Sequence, residues 1–317
     1  MNQISIIILN YNTTEFTKNC LKSILAFKDD SVKEIIVIDN SSSDRSIENL
    51  KNGFPNVKYF FRNLNDGFAG GCNFGVSKSS GDFILFLNPD VLIKENIFLK
   101  LADFLNKNVN AGILSGVMKD ENGNVEYFYN DFPDIGWEAG VLYPPILRNK
   151  IEKLNSKSEL FKKNDFSADW FHGSFMFMRK SDFINAGCFN ENYFMYYEDV
   201  ELSYKFKKKL GKENICIPEI SYYHSKKSSL ANELNDDLYT FHINRSKLIF
   251  IRNYGFFQRT GIYLTGLLNI FSRILILPFW SKYADRKLQK FKQLLKILKL
   301  YFSNSYLLSS KFEYIRN

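Results

Sequence analysis

Through residue 90, short apolar runs alternate with longer segments of helical spacing. Residues 4–9, 34–39, 57–61 and 82–87 are nearly continuous apolar, β-branched stretches, the length of strands buried on both faces. Segments 14–27, 43–52 and 68–78 lie between them and have helical length and period. Strand–helix–strand alternation at this spacing predicts an α/β fold with a doubly wound, mostly parallel sheet. In such sheets ligands bind beyond the carboxyl ends of the strands. Those ends are Asn10-Tyr11-Asn12, Asp39-Asn40-Ser41, Arg62-Asn63 and Asn88-Pro89-Asp90. All are polar, and they converge on one rim.

Residues 111–118 and 125–129 read as further strands, split by the turn Glu121-Asn122-Gly123-Asn124. Residues 131–165, rich in Pro, Gly and Lys, show no period and read as a long loop or flap. Strand character returns at 170–178, a helix opens at Glu198-Asp199 and runs to about 209, and 215–217 and 220–223 are short strands. From 234 onward the pattern is helical. The run 263–280 is long enough to span a bilayer, but Arg273 interrupts it and Pro278 lies near its end, so it reads as a buried or interfacial helix. Residues 284–302 form an amphipathic helix with Leu288, Phe291, Leu294, Leu295, Leu298 and Phe302 on one face. That face suits either a lipid surface or the protein core.

Charge sharpens the picture of the tail. Residues 245–317 hold 14 Lys and Arg against 2 Asp and Glu, a net of +12, whereas 1–244 hold 28 against 32, a net of −4. A mildly acidic body with a strongly basic tail suits an anionic membrane surface. Nucleic acid ranks last as a partner, since no recognised nucleic-acid motif accompanies the charge. The first ten residues have no basic leader and no small-residue cleavage site, so they read as a first strand and not a signal peptide. Four scattered cysteines suggest neither zinc nor a disulfide framework and point to reduced thiols in a cytoplasmic protein.

Two nucleotide sites are excluded. No glycine follows the first strand, as a dinucleotide fingerprint requires, and Val76 stands where a P-loop between Gly70 and Gly75 would need lysine. Three other features carry chemistry. Asp90 ends an apolar strand on a rigid turn and could hold a hard divalent cation, or simply cap a helix. Glu198 and Asp199 repel one another in an aromatic setting, which raises a carboxylate pKa toward that of a general base; acidic residues also favour a first helical turn for its dipole alone. His224 ends a strand and could reach the same rim as a metal ligand, or serve structurally. His172 and His242 show no metal-ligand spacing.

The order of these features resembles a known family. The stretches SIIILNYN, EIIVIDNSSSDRS, NLNDGFAGGCNFGVSKSSGDFILFLNPD, DWFHGSFMFMRKSDFINAGCFNENYFMYYEDVEL and YYHSKKSS are similar to family 2 glycosyltransferases, specifically the bacterial rhamnosyltransferases of O-antigen and cell-wall assembly. The resemblance implies a GT-A domain over 1–230, and the helical period and charge of the remainder make 231–317 a helical, basic, membrane-associating region. It implies that Asn10, Asn12, Asp39 and Asn40 hold the nucleotide, and that Asn65, Gly67 and Asn73 pack against the donor. Asp90, with His224 as second ligand, would bind Mg²⁺ or Mn²⁺. Asp199 would be the catalytic base, with Glu198 supporting it or touching the acceptor, and Trp170 and Gly173 would line the acceptor side. Asn88, Asn190 and Glu201 each stand where an aspartate is common; the last two bear on the acceptor.

The implied activity is inverting transfer of a sugar, L-rhamnose from dTDP-L-rhamnose, to a lipid-linked or growing surface glycan at the cytoplasmic face of the membrane. The alternatives are a UDP-hexose, UDP-GlcNAc or UDP-galactofuranose donor, or a non-catalytic nucleotide-sugar-binding assembly partner. Because the implied donor and base residues all precede 225, removal of 284–317 is expected to spare transfer.

Overall fold

Strand β1 (Ile4–Asn10) shows why the sheet is covered on both faces. Ile4, Ile6 and Ile8 enter one apolar cluster and Ile7 enters another. The two-residue strand period sends alternate side chains to opposite layers. The computed structural model describes residues 3–43, 47–140, 164–225, 236–279 and 286–303. Helices α1 (Thr14–Phe27) and α4 (Phe98–Lys107) cover the first cluster. Helix α3 (Gly67–Lys78) covers the second.

The described sheet has nine strands. Strands β2 (Val32–Asp39), β3 (Lys58–Phe61) and β4 (Phe83–Leu87) run parallel to β1 in the order β3-β2-β1-β4, with α2 (Ile47–Gly53) between β2 and β3. The sheet continues through three strands, β10 (Phe175–Arg179), β6 (Ala111–Lys119) and β11 (Glu213–His224), to β5 (Val91–Leu92). Strand β8 (Phe166–Ala168) also pairs with β11. Only β10, β5 and β8 run antiparallel to their neighbours.

Several expected elements change form. The strand over 125–129 reduces to a single Lys119–Val125 bridge and the short β7 (Tyr129–Asn130), paired with β9 (Trp170–Phe171). The chain reverses at Asp120, whose Oδ1 accepts the Asn122 and Asn124 N–H groups, and the Glu126 N–H donates to the Met118 carbonyl. The strand over 170–178 breaks at His172-Gly173-Ser174 into β9 and β10. Segments 215–217 and 220–223 join as β11, where pairing with β6 slips between Cys216 and Ser221 around Pro218, which has no N–H to offer the ladder. Within the expected 131–165 loop, Ile135–Gly140 is helix α5, opened by Asp134 Oδ1 accepting the Trp137 N–H at 2.6 Å. Positions 141–163 of that loop lie outside the described residues.

Helix α6 (Lys180–Ala186) leads to α7 (Glu198–Lys209), and among the described residues after β11 lie the α-helices α8 (Asp236–Phe250), α9 (Phe256–Ile276) and α10 (Lys287–Phe302). Phe250, Ile262, Ile270, Leu294, Leu300 and Tyr301 form one cluster, against which Phe132, Trp170, Tyr197 and Tyr204 also pack. Lys247 on α8 and Glu138 on α5 form a buried ion pair at 2.9 Å inside it. The face of α10 differs from expectation. Leu294 is buried with Ile297, Leu300 and Tyr301, while Leu288, Phe291, Leu295 and Phe302 point outward. Two apolar faces compete on this helix, and packing against α8 and α9 selects the one carrying Leu294.

Candidate active site

The carboxyl ends of β1 and β2 are tied together by amides. Asn10 is fully buried; its Nδ2 donates to Asp39 Oδ2 at 3.0 Å and to Ser42 Oγ, and its Oδ1 accepts from Thr13 and Thr17. Asp39 also accepts the Ser42 N–H at 2.8 Å. Asn12 takes a left-handed backbone at φ 54 and its Oδ1 accepts from Ser43. Asn40 donates to Asn65 Oδ1 at 2.7 Å and to the Gly67 carbonyl, and it accepts from Arg62. Asn10 and Asn40 therefore spend their amides on internal bonds that shape the rim. A cavity of about 550 Å³ opens beside Asn12 between α1 and α2.

Gly67 opens α3 at φ +89, and a Cβ there would overlap the carbonyl of Phe194, which accepts the Phe68 N–H. This contact sets the loop before α7 directly against the rim. Asn73 holds the same loop further out, donating to the Phe189 carbonyl and Glu191 and accepting the Phe189 N–H. Its amide is thus engaged with the loop.

Register brings Asp90 and His224 together. In the β5–β11 pair His224 stands opposite Val91, so its ring reaches the preceding residue, with Nε2 3.4 Å from Asp90 Oδ2. His172 lies edge-on to His224, ring centroids 5.7 Å apart. Its Nδ1 accepts the Ser174 N–H at 3.2 Å. Burial, then the neighbouring His224, lowers its pKa to about 4, so it is neutral. The next residue, Gly173, donates its N–H to Asp199 Oδ2 at 2.8 Å, and a Cβ there would sit 3.3 Å from that oxygen. The break between β9 and β10 is therefore the hinge of the site, with His172 on the Asp90 side and Gly173 on the Asp199 side.

The two carboxylates of α7 are electrostatically unequal. Both are buried. Burial raises the Asp199 pKa to about 6, opposed by the N–H groups of Gly173 and Val200. Glu198 is driven well above the ordinary carboxylate range by burial and by the Asp199 charge. At neutral pH the geometry thus favours an ionised Asp199 beside a protonated Glu198. The backbone before them is strained: Tyr196 and Tyr197 are left-handed at φ 65 and φ 70. Helix α8 restrains both, through Tyr239 against Tyr196 at 5.1 Å and Phe250 against Tyr197 at 5.7 Å. Ser246 also donates to the Met195 carbonyl.

Trp170 joins the α8–α10 cluster and donates through Nε1 to the Asp131 carbonyl. Sequence reasoning passed over His172, because it considered metal spacing alone; its position next to Gly173 was the available signal. It also missed Ser42, whose hydroxyl joins Asn10 to the Asn12 N–H.

Residues 5–185, more than half of the chain, match the family model described as glycosyl transferase family 2. The low-salt glycan biosynthesis hexosyltransferase Agl10 of Haloferax volcanii is 30% identical over 221 residues, covering 68% of this chain and 64% of that protein, just under two thirds of its length. The N-acetylglucosaminyl-diphospho-decaprenol L-rhamnosyltransferase of Mycobacterium tuberculosis is 25% identical over 271 residues, 80% of this chain and 87% of that one. Among solved structures, a mannosyltransferase from Pyrobaculum calidifontis in complex with GDP-Man and Mn²⁺ superposes with a TM-score of 0.58 at 12% identity, over 96% of this chain and 88% of that one. This likeness establishes a shared GT-A-like fold.

Proposed function

The chain belongs to glycosyl transferase family 2, and from that premise we propose that it transfers L-rhamnose from dTDP-L-rhamnose to a lipid-linked glycan, with inversion, at the cytoplasmic face of the membrane. The sugar and the lipid-linked acceptor are supported by the mycobacterial relative, whose name specifies both.

The observation that carries the chemistry is the placement of Asp199 on the Gly173 N–H, one residue from the His172–His224–Asp90 series. Asp199 Oδ2 accepts the Gly173 N–H and Oδ1 the Val200 N–H, which hold the carboxylate in place. Asp199 takes the proton of the acceptor hydroxyl as its oxygen attacks the anomeric carbon. Protonated Glu198 offers a hydrogen bond to the acceptor. A single displacement needs no enzyme nucleophile. Asp39, Asn12 and Asn65 contact the nucleotide, while Asn10, Asn40 and Gly67 hold them in place. Asn73 acts through the 189–191 loop, and Trp170 lines the acceptor side.

Asp90 and His224 fit a divalent cation: a hard oxygen and an imidazole nitrogen, both largely buried, already lie side by side. Mg²⁺ or Mn²⁺ bound there would neutralise the departing diphosphate. The Pyrobaculum structure, solved with Mn²⁺, favours this cofactor.

The test is a donor screen with dTDP-L-rhamnose, UDP-glucose, UDP-GlcNAc and UDP-galactofuranose, with and without Mn²⁺, on wild type, Asp90→Ala and Asp199→Asn. Turnover of dTDP-L-rhamnose is expected, with metal-dependent donor affinity lost in Asp90→Ala. Turnover of UDP-sugars alone would replace the donor, and wild-type rates in Asp199→Asn would remove the base.

A further inference from the structure

Helices α9 and α10 each present an apolar row that no described residue covers. On α9, Phe257, Leu264, Leu268, Phe271 and Leu275 recur at steps of seven, four, three and four. At about 100° per residue they fall in one strip about 60° wide. They are strongly exposed: Phe257 by 87%, Leu268 by 60%, Leu275 by 73%. The opposite side of α9, with Ile262, Gly266 and Ile270, is buried. On α10, Leu288, Phe291, Leu295 and Phe302 make a second outward row, and Lys292, Lys296 and Lys299, all exposed, run along its edge. Single exposed apolar residues are ordinary, but two aligned rows on adjoining helices are not.

We infer that the outward faces of α9 and α10 are a docking surface for an anionic lipid bilayer, on which both helices lie flat without crossing it. The lysine row selects this occupant. A protein interface depletes lysine at its centre, whereas an interfacial helix sets lysines beside its apolar stripe, their stems along the hydrocarbon and their ammonium groups among phosphates. The net charge of +12 over residues 245–317 is complementary to such a surface.

The stretch Phe256–Phe279, 24 residues, is long enough to span a bilayer. Its inner face is committed elsewhere. Asn269, at its midpoint, donates to the Glu138 carbonyl at 2.9 Å, beside the buried Lys247–Glu138 pair. Gly266 lies against the Tyr301 ring. Crossing the bilayer would either carry this ion pair into hydrocarbon or strip α9 from its cluster.

The inference stands apart from the transfer reaction and is tested without it. The full chain is sedimented with vesicles of phosphatidylcholine, with or without phosphatidylglycerol, at low and high salt. Two triple variants are compared, Lys292→Gln/Lys296→Gln/Lys299→Gln and Leu264→Ser/Leu268→Ser/Leu295→Ser, and melting curves establish that each is folded. Every substituted side chain is at least half-exposed or at the surface, so both should melt as wild type does. Wild type is expected to bind the anionic vesicles. The lysine variant should bind about 10²-fold more weakly at low salt, about fivefold per lysine. The leucine variant should lose the binding that survives high salt. Wild-type binding by both folded variants would overturn the inference. So would resistance of bound wild type to alkaline carbonate, which would mean that α9 spans. A change of mass by light scattering in the leucine variant, with vesicle binding intact, would assign the face to a second copy of the chain.

Discussion

Glu198 and Asp199 are neighbours in sequence with different environments. Two N–H donors from other residues keep Asp199 within reach of neutral pH, and Glu198 lacks them. The rate of transfer should therefore fall about tenfold per pH unit below about pH 6, as Asp199 takes up its proton. Asp199→Asn should retain donor binding and lose about 10²–10⁴-fold in kcat, which steady-state kinetics with calorimetric donor titration would measure. Stability gives an independent check. Asp199 titrates at 3.8 when unperturbed and at about 6 in the fold, so the fold favours its protonated form. That contribution is complete below about pH 4 and is lost as pH rises to about 6. The melting temperature of Asp199→Asn minus that of wild type should widen across this window and level off above it. Gly67→Ala, at φ +89 against the Phe194 carbonyl, should cost about 2 kcal/mol or more in chemical denaturation.

At the scale of elements, α5 and α8 are joined by a charge pair withdrawn from water. Lys247 and Glu138 are 9% and 2% exposed, and Asn269 of α9 bonds to the carbonyl of Glu138. Removing one partner strands the other charge, whereas removing both does not. Glu138→Gln should destabilise by about 3–5 kcal/mol, and Glu138→Gln/Lys247→Met should recover much of that loss. Equal stability of the single and double variants in urea denaturation would show that the pair is not coupled. The same helix α8 bears Phe250 and Tyr239, which press on the strained tyrosines ahead of Glu198. Loss of the pair should accordingly lower kcat as well as stability.

For the whole molecule, the helical tail is packed into the cluster that backs the candidate site. Deletion from Arg286 onward removes Leu294, Ile297, Leu300 and Tyr301, each almost fully buried. At about 2 kcal/mol per side chain, the melting temperature should fall by about 10 °C or more. Transfer to a short soluble acceptor should fall too, contrary to the expectation drawn from sequence order, because Tyr197 packs on the cluster that is opened. A truncation that melts and turns over as the full chain does would show that α10 is dispensable to this cluster.

The parallel half of the sheet was legible in the sequence. Runs such as residues 4–9 and 34–39 have no polar face, so each must be covered on both sides, and the polar residues that end them must meet at one rim. The helical tail was legible for the same reason, from a 3.6-residue period. What required the tertiary structure were properties of pairs of segments. The β5–β11 register decides that His224 meets Asp90, and the break between β9 and β10 decides that His172 and Gly173 link that pair to Asp199. Backbone N–H groups, which every residue but proline carries and which no residue type therefore signals, separate Asp199 from Glu198. On α10 both apolar faces satisfy the helical period, and only the neighbours α8 and α9 decide which is buried. Periodicity is a property of one segment and survives in the sequence; register, burial and hydrogen-bond partners exist only once a second segment is in place.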